Sequence, residues 1–406
     1  MPAPGHSPPA LCARLPMIEA LLDPAVGEFS NAAPPSTRPT QQVRVLHVIN
    51  GEHYSGAERV QDLLAGYLPQ CGYEVSFACV KPGRFPEARK HRNARLYELP
   101  MRSRFDLNCG RKLAQLVRDE RYAIIHAHTP RSLMVGGQAA RIAGVPLIYH
   151  VHSPAGRDST HWLRNMANVW LERRTAHRAA RLIAVSPSVR RYMIEQGFLA
   201  SHVVCVPNGV PCIAVPPRAK TPATWTLGMT ALFRPRKGIE VLLESLAAVR
   251  KQGHDVRLRA IGPFETRDYE AEVLGLVGRL DLAHAIDWTG FVTDIGAELK
   301  KIDALVLPSL FGEGLPMVVL EAMAAGVPVI ASNVEGVPDA IRDREDGLLV
   351  GPDSSASLAA AIEKLIGGDL DYPAMSRAAQ ARHAEHFSAE IMAGRVAEVY
   401  DSVLDR

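Results

Sequence analysis

Residues 311–339 read FGEGLPMVVLEAMAAGVPVIASNVEGVPD, and the reading of this stretch decides the fold. It follows an apolar run, Ala304–Leu307, with the character of a buried strand. Pro316 stands where a helix would open, and its fixed φ suits the first helical position. Gly326 closes that helix, Pro328 prevents its continuation, and Val327–Ala331 is apolar and strand-like again. Strand, glycine-bearing turn, helix and strand form the unit with which α/β proteins build an anion site. The backbone amides around Gly314, Leu315, Pro316 and Met317 belong to a helix tip, where the dipole is positive. A diphosphate fits such a tip.

Two carboxylates flank the tip. Glu313 precedes the helix, and Glu321 falls in its second turn, with seven residues between them. A carboxylate beside a phosphate site is unfavourable unless it serves hydroxyls. Paired hydroxyls at both ends of a diphosphate describe a nucleotide sugar. The plainer reading makes Glu313 a neighbour of the helix cap and Glu321 a solvated charge. The recurrence of Glu, Gly, Pro and Glu between two strands weighs against it. The stretch resembles the E-x7-E motif of retaining GT-B glycosyltransferases, family 4 in particular, through Glu313, Gly314, Leu315, Pro316, Glu321, Ala322, Met323, Ala324, Gly326, Pro328 and Val329.

Composition is that of an ordinary soluble globular protein. A chain of 406 residues exceeds what one core usually holds, so two domains are expected. Apolar residues make up 47% and charged residues 22%, an ordinary globular balance. The six cysteines lack metal-ligand spacing, which favours a reduced, cytoplasmic protein. There is no run of eighteen apolar residues that would read as a transmembrane helix. Residues 1–42 are rich in Pro and Ala and read as a poorly ordered tail. Charge is unevenly spread: residues 41–210 hold 24 Lys and Arg against 12 Asp and Glu, residues 211–406 hold 20 against 28. The basic half is expected to meet something anionic, such as a lipid-linked acceptor or the inner membrane face. No nucleic-acid module is present, so nucleic acid is not expected as a partner.

In chain order, Val43–Asn50 is a first parallel strand, followed by the turn GEHYSGAE and a helix over Arg59–Leu68. The turn is not G-x-G-x-x-G. In the family the matching loop is Gly-Gly and lies under the donor; here Ser55 replaces the first glycine and Gly56 keeps the second. Further strands are expected at Glu74–Val80, Ala123–His126, Pro146–Val151 and Leu182–Ser186, with helices between them. Histidines gather at two strand ends, His126 and His128 in IIHAHTP and His150 and His152 in YHVHSPAG. A zinc site is conceivable, but neither carboxylate nor cysteine joins them, and each pair is read as alternating along its strand so that only one member faces a given side. No metal site is therefore assigned. The resemblance implies that His128 hydrogen-bonds the transferred sugar, and His152 could line the acceptor side. Arg157–Arg181 sets Trp162, Leu163, Met166, Val169 and Trp170 among arginines, which suits either a membrane-surface helix or a packed one with a solvated face. Arg84–Arg95 adds basic charge in a loop or helix start.

The proline-rich stretch 213–224 reads as a linker between domains at 43–212 and 225–386. After the strand Trp225–Thr230, the resemblance supplies an Arg…Lys-Gly element whose cations hold the donor diphosphate. Lys237 and Gly238 match it. The usual arginine position falls at Leu232 or Ala231, so Arg234 or Arg236 must substitute. The family binds the nucleotide base near the ends of Val256–Gly262 and Ile286–Val292, which makes Gly262, Phe264 and Val292 candidates. Phe387–Leu404 is a closing helix capped by Ser388, and residues 387–406 cross back to the first domain in the family.

The resemblance thus implies a GT-B architecture, two Rossmann-like doubly wound parallel-sheet domains facing across a cleft. It implies transfer of a sugar from a UDP- or GDP-linked donor to a glycan or lipid-linked acceptor, with retention of configuration. Glu313 would grip the sugar, Glu321 the ribose, and Lys237, an arginine and the amides of 314–317 the leaving diphosphate, with no metal or other cofactor. Other GT-B activities remain open: a sugar-phosphate synthase, a phosphorylase or a nucleotide-sugar epimerase. So does a catalytically silent nucleotide-sugar-binding protein.

Overall fold

The computed structural model describes residues 42–103, 106–154, 166, 169 and 172–405, with the backbone alone at 107. The tail at 1–42 lies outside the described residues apart from Gln42, and the basic aromatic segment at 157–181 lies outside them up to 171, apart from 166 and 169.

Val43–Ile49 (β1) becomes more buried from its start to its end, as expected of a strand covered on both faces by helices. It pairs in parallel with Tyr73–Cys79 (β2) and Ile124–Ala127 (β4). Leu96–Glu98 (β3), Leu147–Val151 (β5), Arg181–Ala184 (β6) and Val203–Cys205 (β7) complete a sheet of order β3-β2-β1-β4-β5-β6-β7. A second parallel sheet runs β10-β9-β8-β11-β12-β13. Its strands are Trp225–Thr230 (β8), Val256–Ile261 (β9), Ile286–Gly290 (β10), Ala304–Leu307 (β11), Val329–Ser332 (β12) and Gly347–Val350 (β13). Each sheet reverses its winding once, between β1 and β4 and between β8 and β11. Loops at the carboxyl ends of strands beside such a reversal are where open α/β sheets bind ligands. These are two doubly wound, Rossmann-like sheets, the GT-B arrangement.

The expected strands lie within one or two residues of the observed ones, whereas β3 and β7 were not anticipated. Each has three residues and sits at a sheet edge, too short for a period to show. The helix Tyr372–His386 was also not anticipated; its apolar residues form no clear stripe. Residues 213–224 form no regular element but are anchored. Arg218 donates to the carbonyls of Leu299 and Ile302 at 3.0 and 2.9 Å, and Gln380 Nε2 donates to Val215 O at 2.9 Å.

The helix Ala389–Val403 is capped by Ser388, whose Oγ accepts from Ile391 N at 3.2 Å. It packs against the helix Gly56–Tyr67 and the turn Leu68–Cys71 that follows it. Val210 N donates to Phe387 O and Ala389 N to Val210 O, at 2.9 and 3.0 Å. Tyr400 then places its hydroxyl between His47 Nε2 at 3.0 Å and His126 Nδ1 at 2.7 Å.

Candidate active site

The carboxyl end of β11 opens into the loop Pro308–Pro316, and the helix Met317–Ala324 follows. Pro316 is the residue before the helix rather than its first residue: its φ of −72° would suit a helix, but its ψ of 119° is extended. The first helical N–H is therefore that of Met317. Gly326 ends the segment at φ +62°, a left-handed conformation that suits glycine.

Gly314 is required by close approach. A Cβ there would lie 1.9 Å from the carbonyl oxygen of His152, at the end of β5 in the other sheet. The loop is further tied to the first sheet's side by Asn208 Nδ2, which donates to Leu315 O at 2.9 Å. The loop thus sits where the carboxyl ends of the two sheets meet.

The cations converge on Glu313, which is 5% exposed. Lys237 Nζ donates to Glu313 Oε1, and Ser309 Oγ donates to the same oxygen at 2.6 Å. Arg236 Nη1 lies 3.8 Å from that oxygen and donates to the carbonyls of Phe311 and Gly312 at 3.2 and 3.3 Å. Burial alone would push the Glu313 carboxyl up, but the Lys237 and Arg236 charges hold it below the usual carboxylate value. Burial pushes the Lys237 ammonium down, partly opposed by Glu313. The structure separates the two candidate arginines. Arg236 is in the site, whereas Arg234 reaches Glu265 at 3.5 Å.

Glu321 lies 4% exposed on the helix and is held by Arg59, from the helix Gly56–Tyr67 of the first sheet. Two further residues of the site were missed in the sequence. Ser309 lies outside the quoted stretch. Glu335, with φ of 33°, turns its carboxylate onto the amides of Gly312 and Glu313 at 2.9 and 3.2 Å. The sequence around it, NVEGVPD, signals a turn but not its target.

Gly56 begins its helix with open space where a Cβ would stand, so no close approach demands glycine there. Gly262, at φ +126°, is demanded: a Cβ would meet Ala231 O at 1.9 Å. Its N–H donates to Gly290 O at 2.8 Å, which draws the ends of β9 and β10 together. Phe264 packs its ring against Phe233 and Trp288 at 5.1 and 5.3 Å. Val292 follows in the next loop, partly exposed.

The histidines correct the expectation that only one of each pair faces a given side. Residues two apart in a strand share a face. The rings of His126 and His128 stack at 4.2 Å, and those of His150 and His152 at 4.5 Å. His47 of β1 joins them. His128 is 2% exposed, with Nδ1 3.1 Å from His152 Nε2 and Nε2 3.1 Å from His47 Nδ1. Its ring must release one partner before it can meet a sugar hydroxyl. The chain also carries an Asp-x-Asp triplet, Asp369–Asp371, but Asp371 caps the helix Tyr372–His386 by accepting from Ala374 N at 2.9 Å.

The family profile described as Glycosyltransferase Family 4 matches residues 54–212, and that described as Glycosyl transferases group 1 matches residues 224–367. A D-inositol 3-phosphate glycosyltransferase of Streptomyces scabiei is 30% identical over 326 residues, 71% of this chain and 69% of that protein. A phosphatidyl-myo-inositol mannosyltransferase of Mycobacterium leprae is 29% identical over 291 residues, 70% of this chain and 75% of that protein. Among solved structures, Anabaena HepE in complex with UDP-glucose superimposes with a TM-score of 0.79 at 23% identity, over 89% of this chain and 100% of that one. A sucrose-phosphate synthase from Thermosynechococcus elongatus does so with a TM-score of 0.77 at 22% identity, over 90% and 100%.

Proposed function

We propose, for a chain that belongs to the family 4, group 1 glycosyltransferases, that this enzyme moves a hexose from a nucleoside-diphosphate donor with retention of configuration and without a metal on the diphosphate. The observation that carries the reading is the meeting of Lys237, Arg236, Ser309 and Glu313 beside the tip of Met317–Ala324. Two cations and a helix tip are an electrostatic cradle for charge that grows on a leaving diphosphate. They do the work that a divalent cation does in other phosphate chemistry, which supports metal independence at that position.

In this reading Glu313 exchanges Lys237 for hydroxyls of the sugar, and the freed ammonium turns to the phosphate. Glu321 accepts the ribose hydroxyls. The amides at 314, 315 and 317 complete the diphosphate contact. The breaking bond joins the anomeric carbon to the diphosphate oxygen, and the acceptor oxygen bonds to the same face of that carbon. The acceptor proton passes to the departing phosphate oxygen, so no side chain need act as base. Gly262, Phe264 and Val292 frame the base, His128 meets a hydroxyl of the transferred sugar once its ring lets go of His47, and His152 stands on the acceptor side.

HepE, with UDP-glucose, supports a uridine donor, and the two inositol-directed relatives support a phosphate-bearing polyol or lipid-linked acceptor. The positive balance of residues 41–210 suits such an anion and an anionic membrane surface. Among the described residues no helix is long and apolar enough to cross a membrane.

The test is a thermal-shift screen of UDP- and GDP-sugars, followed by assay of nucleoside diphosphate release with inositol phosphates and lipid-linked acceptors in chelator. One donor should raise the midpoint by mass action. Release should require an acceptor, and Glu313→Ala should abolish it. Unchanged turnover in that variant, or turnover that depends on added magnesium or manganese, would overturn the assignment.

A further inference from the structure

Five histidines from three neighbouring strands meet in the first sheet. His47, His126 and His150 are fully buried, His128 is nearly so, and His152 reaches the surface in part. Their hydrogen bonding is incomplete. Both ring nitrogens of His150, Nδ1 of His152 and Nε2 of His126 are buried without a partner among the described residues. Leaving buried polar atoms unmatched is costly, and native cores rarely do it four times in one place.

We propose that His128, His150 and His152 bind one divalent transition-metal ion, zinc by the nature of the donors, at the carboxyl ends of β4 and β5. One ligand nitrogen from each lies within 4.8 Å of the other two. His128 Nδ1 and His152 Nε2 are 3.1 Å apart. Two Zn–N bonds of about 2.0–2.1 Å at a tetrahedral angle place their nitrogens roughly 3.3 Å apart, so this pair already has the spacing of two ligands. The stacked rings need to turn about χ2, a soft torsion, to aim at one centre. His150 contributes the nitrogens that nothing else satisfies.

The second possible triad, His47, His126 and His128, is spent differently. His128 Nε2 can donate to His47 Nδ1, His47 Nε2 to Tyr400 Oη, and the Tyr400 hydroxyl to His126 Nδ1, at 3.1, 3.0 and 2.7 Å. A metal on His128 Nδ1, the atom facing His152, requires the chain to run in this direction, which leaves the lone pair there. Outer hydrogen bonds of this kind orient metal-bound imidazoles.

The chemistry of the donors selects the ion. Three imidazoles without a carboxylate suit zinc and its neighbours rather than magnesium or calcium, which take oxygen ligands. The backbone carbonyl of His152 abuts Gly314 of the loop Pro308–Pro316. The ion would stiffen the strand ends against which the loop Pro308–Pro316 rests. It is separate from the diphosphate contacts, where the enzyme uses Lys237 and Arg236.

The test uses the full chain, stripped with chelator, and zinc or cobalt(II) alone. Competition against a chromophoric chelator should show one tight equivalent, cobalt(II) should give tetrahedral d–d absorption, and zinc should raise the unfolding midpoint. His150→Ala should weaken binding at least tenfold, as should the milder His152→Asn, each checked for its fold by circular dichroism. A double variant of the exposed His254 and His284 to Ala should bind like the wild type. Absence of a tight equivalent in the wild type would overturn the site, as would affinity unchanged in both His150→Ala and His152→Asn. The donor-induced thermal shift is read on the same stripped protein. If metal binding fails while that shift persists, the inference falls and the transferase reading stands.

Discussion

Arg59 and Glu321 join the two sheets through a two-point ion pair, with Nη1 3.2 Å from Oε2 and Nη2 meeting Oε1. The arginine follows β1 and the carboxylate lies on the helix behind the loop Pro308–Pro316. The carboxylate expected to serve ribose is thus already neutralised from the opposite sheet. On the proposed reading, its charge is masked where the donor diphosphate approaches.

Arg59→Ala strands a buried carboxylate. Breaking a buried pair by removing one partner costs about 3–5 kcal/mol. The Arg59 side chain is 24% exposed, so water screens part of this and the low end, about 3 kcal/mol, is expected. Arg59→Lys, which keeps one point of contact, should lose less. Chemical denaturation of both variants measures the difference. Glu321→Gln should weaken donor binding at least tenfold, about 1.4 kcal/mol, in a direct titration.

Arg236 and Arg234 are two residues apart but differ in role. Arg236→Ala removes a cation that faces Glu313 and the loop carbonyls and should lower kcat by ~10²-fold, in line with losing one donor aimed at developing charge. Arg234→Ala should lower kcat less than Arg236→Ala does, because Arg234 pairs with the exposed Glu265 and acts on Lys237 through its charge. Equal losses in steady-state kinetics would remove the distinction.

Gly314→Ala adds one methyl where 1.9 Å is available to the His152 carbonyl. The loop must move by an ångström or more. Displacements of that size at a reacting centre cost ~10²-fold in rate. The variant should fold, bind donor more weakly and turn over slowly, whereas Gly56→Ala, with open space around it, should stay folded with no loss of stability from crowding. Thermal midpoints and initial rates of the two variants check this.

Glu172 gives a pH signature away from the site. It is 3% exposed, accepts from the Tyr149 hydroxyl, and burial raises its pKa to about 7. The folded state therefore holds a proton that the unfolded chain, titrating near 4.5, releases earlier. Stability from this group is complete below pH 4.5 and is lost as pH rises through 7. The loss approaches ~3 kcal/mol at pH 8.5, since each tenfold difference in proton affinity between the two states is worth about 1.4 kcal/mol. Glu172→Gln should flatten that dependence. Unfolding midpoints of both proteins at pH 5.5 and 8.5 measure it.

The fold was legible because each strand and helix carries its own signal. The glycines and prolines of 311–339 mark both ends of a helix, and the apolar runs on either side exceed what a loop tolerates. The site was legible in part. Glu313, Glu321 and Lys237 stand in local patterns, but the pairing of Arg59 with Glu321 spans 262 residues and has no sequence period. The choice of Arg236 over Arg234 depends on which side chain the Pro235–Lys237 turn aims at the loop, and both have the same composition around them. The histidine cluster required only that residues two apart share a face, together with the pairing of His47 and His126 in register, which β1 and β4 set in three dimensions.

Tyr400 is hydrogen-bonded to His47 across 353 residues of chain. During synthesis the first strand emerges from the ribosome long before that hydroxyl exists. Until the helix bearing Tyr400 has been made, His47 and His126 lack the hydroxyl that bridges them in the folded protein. Nascent chains stalled before residue 400 should remain protease-sensitive in their first half, so translation order and architecture run in opposite directions in this protein.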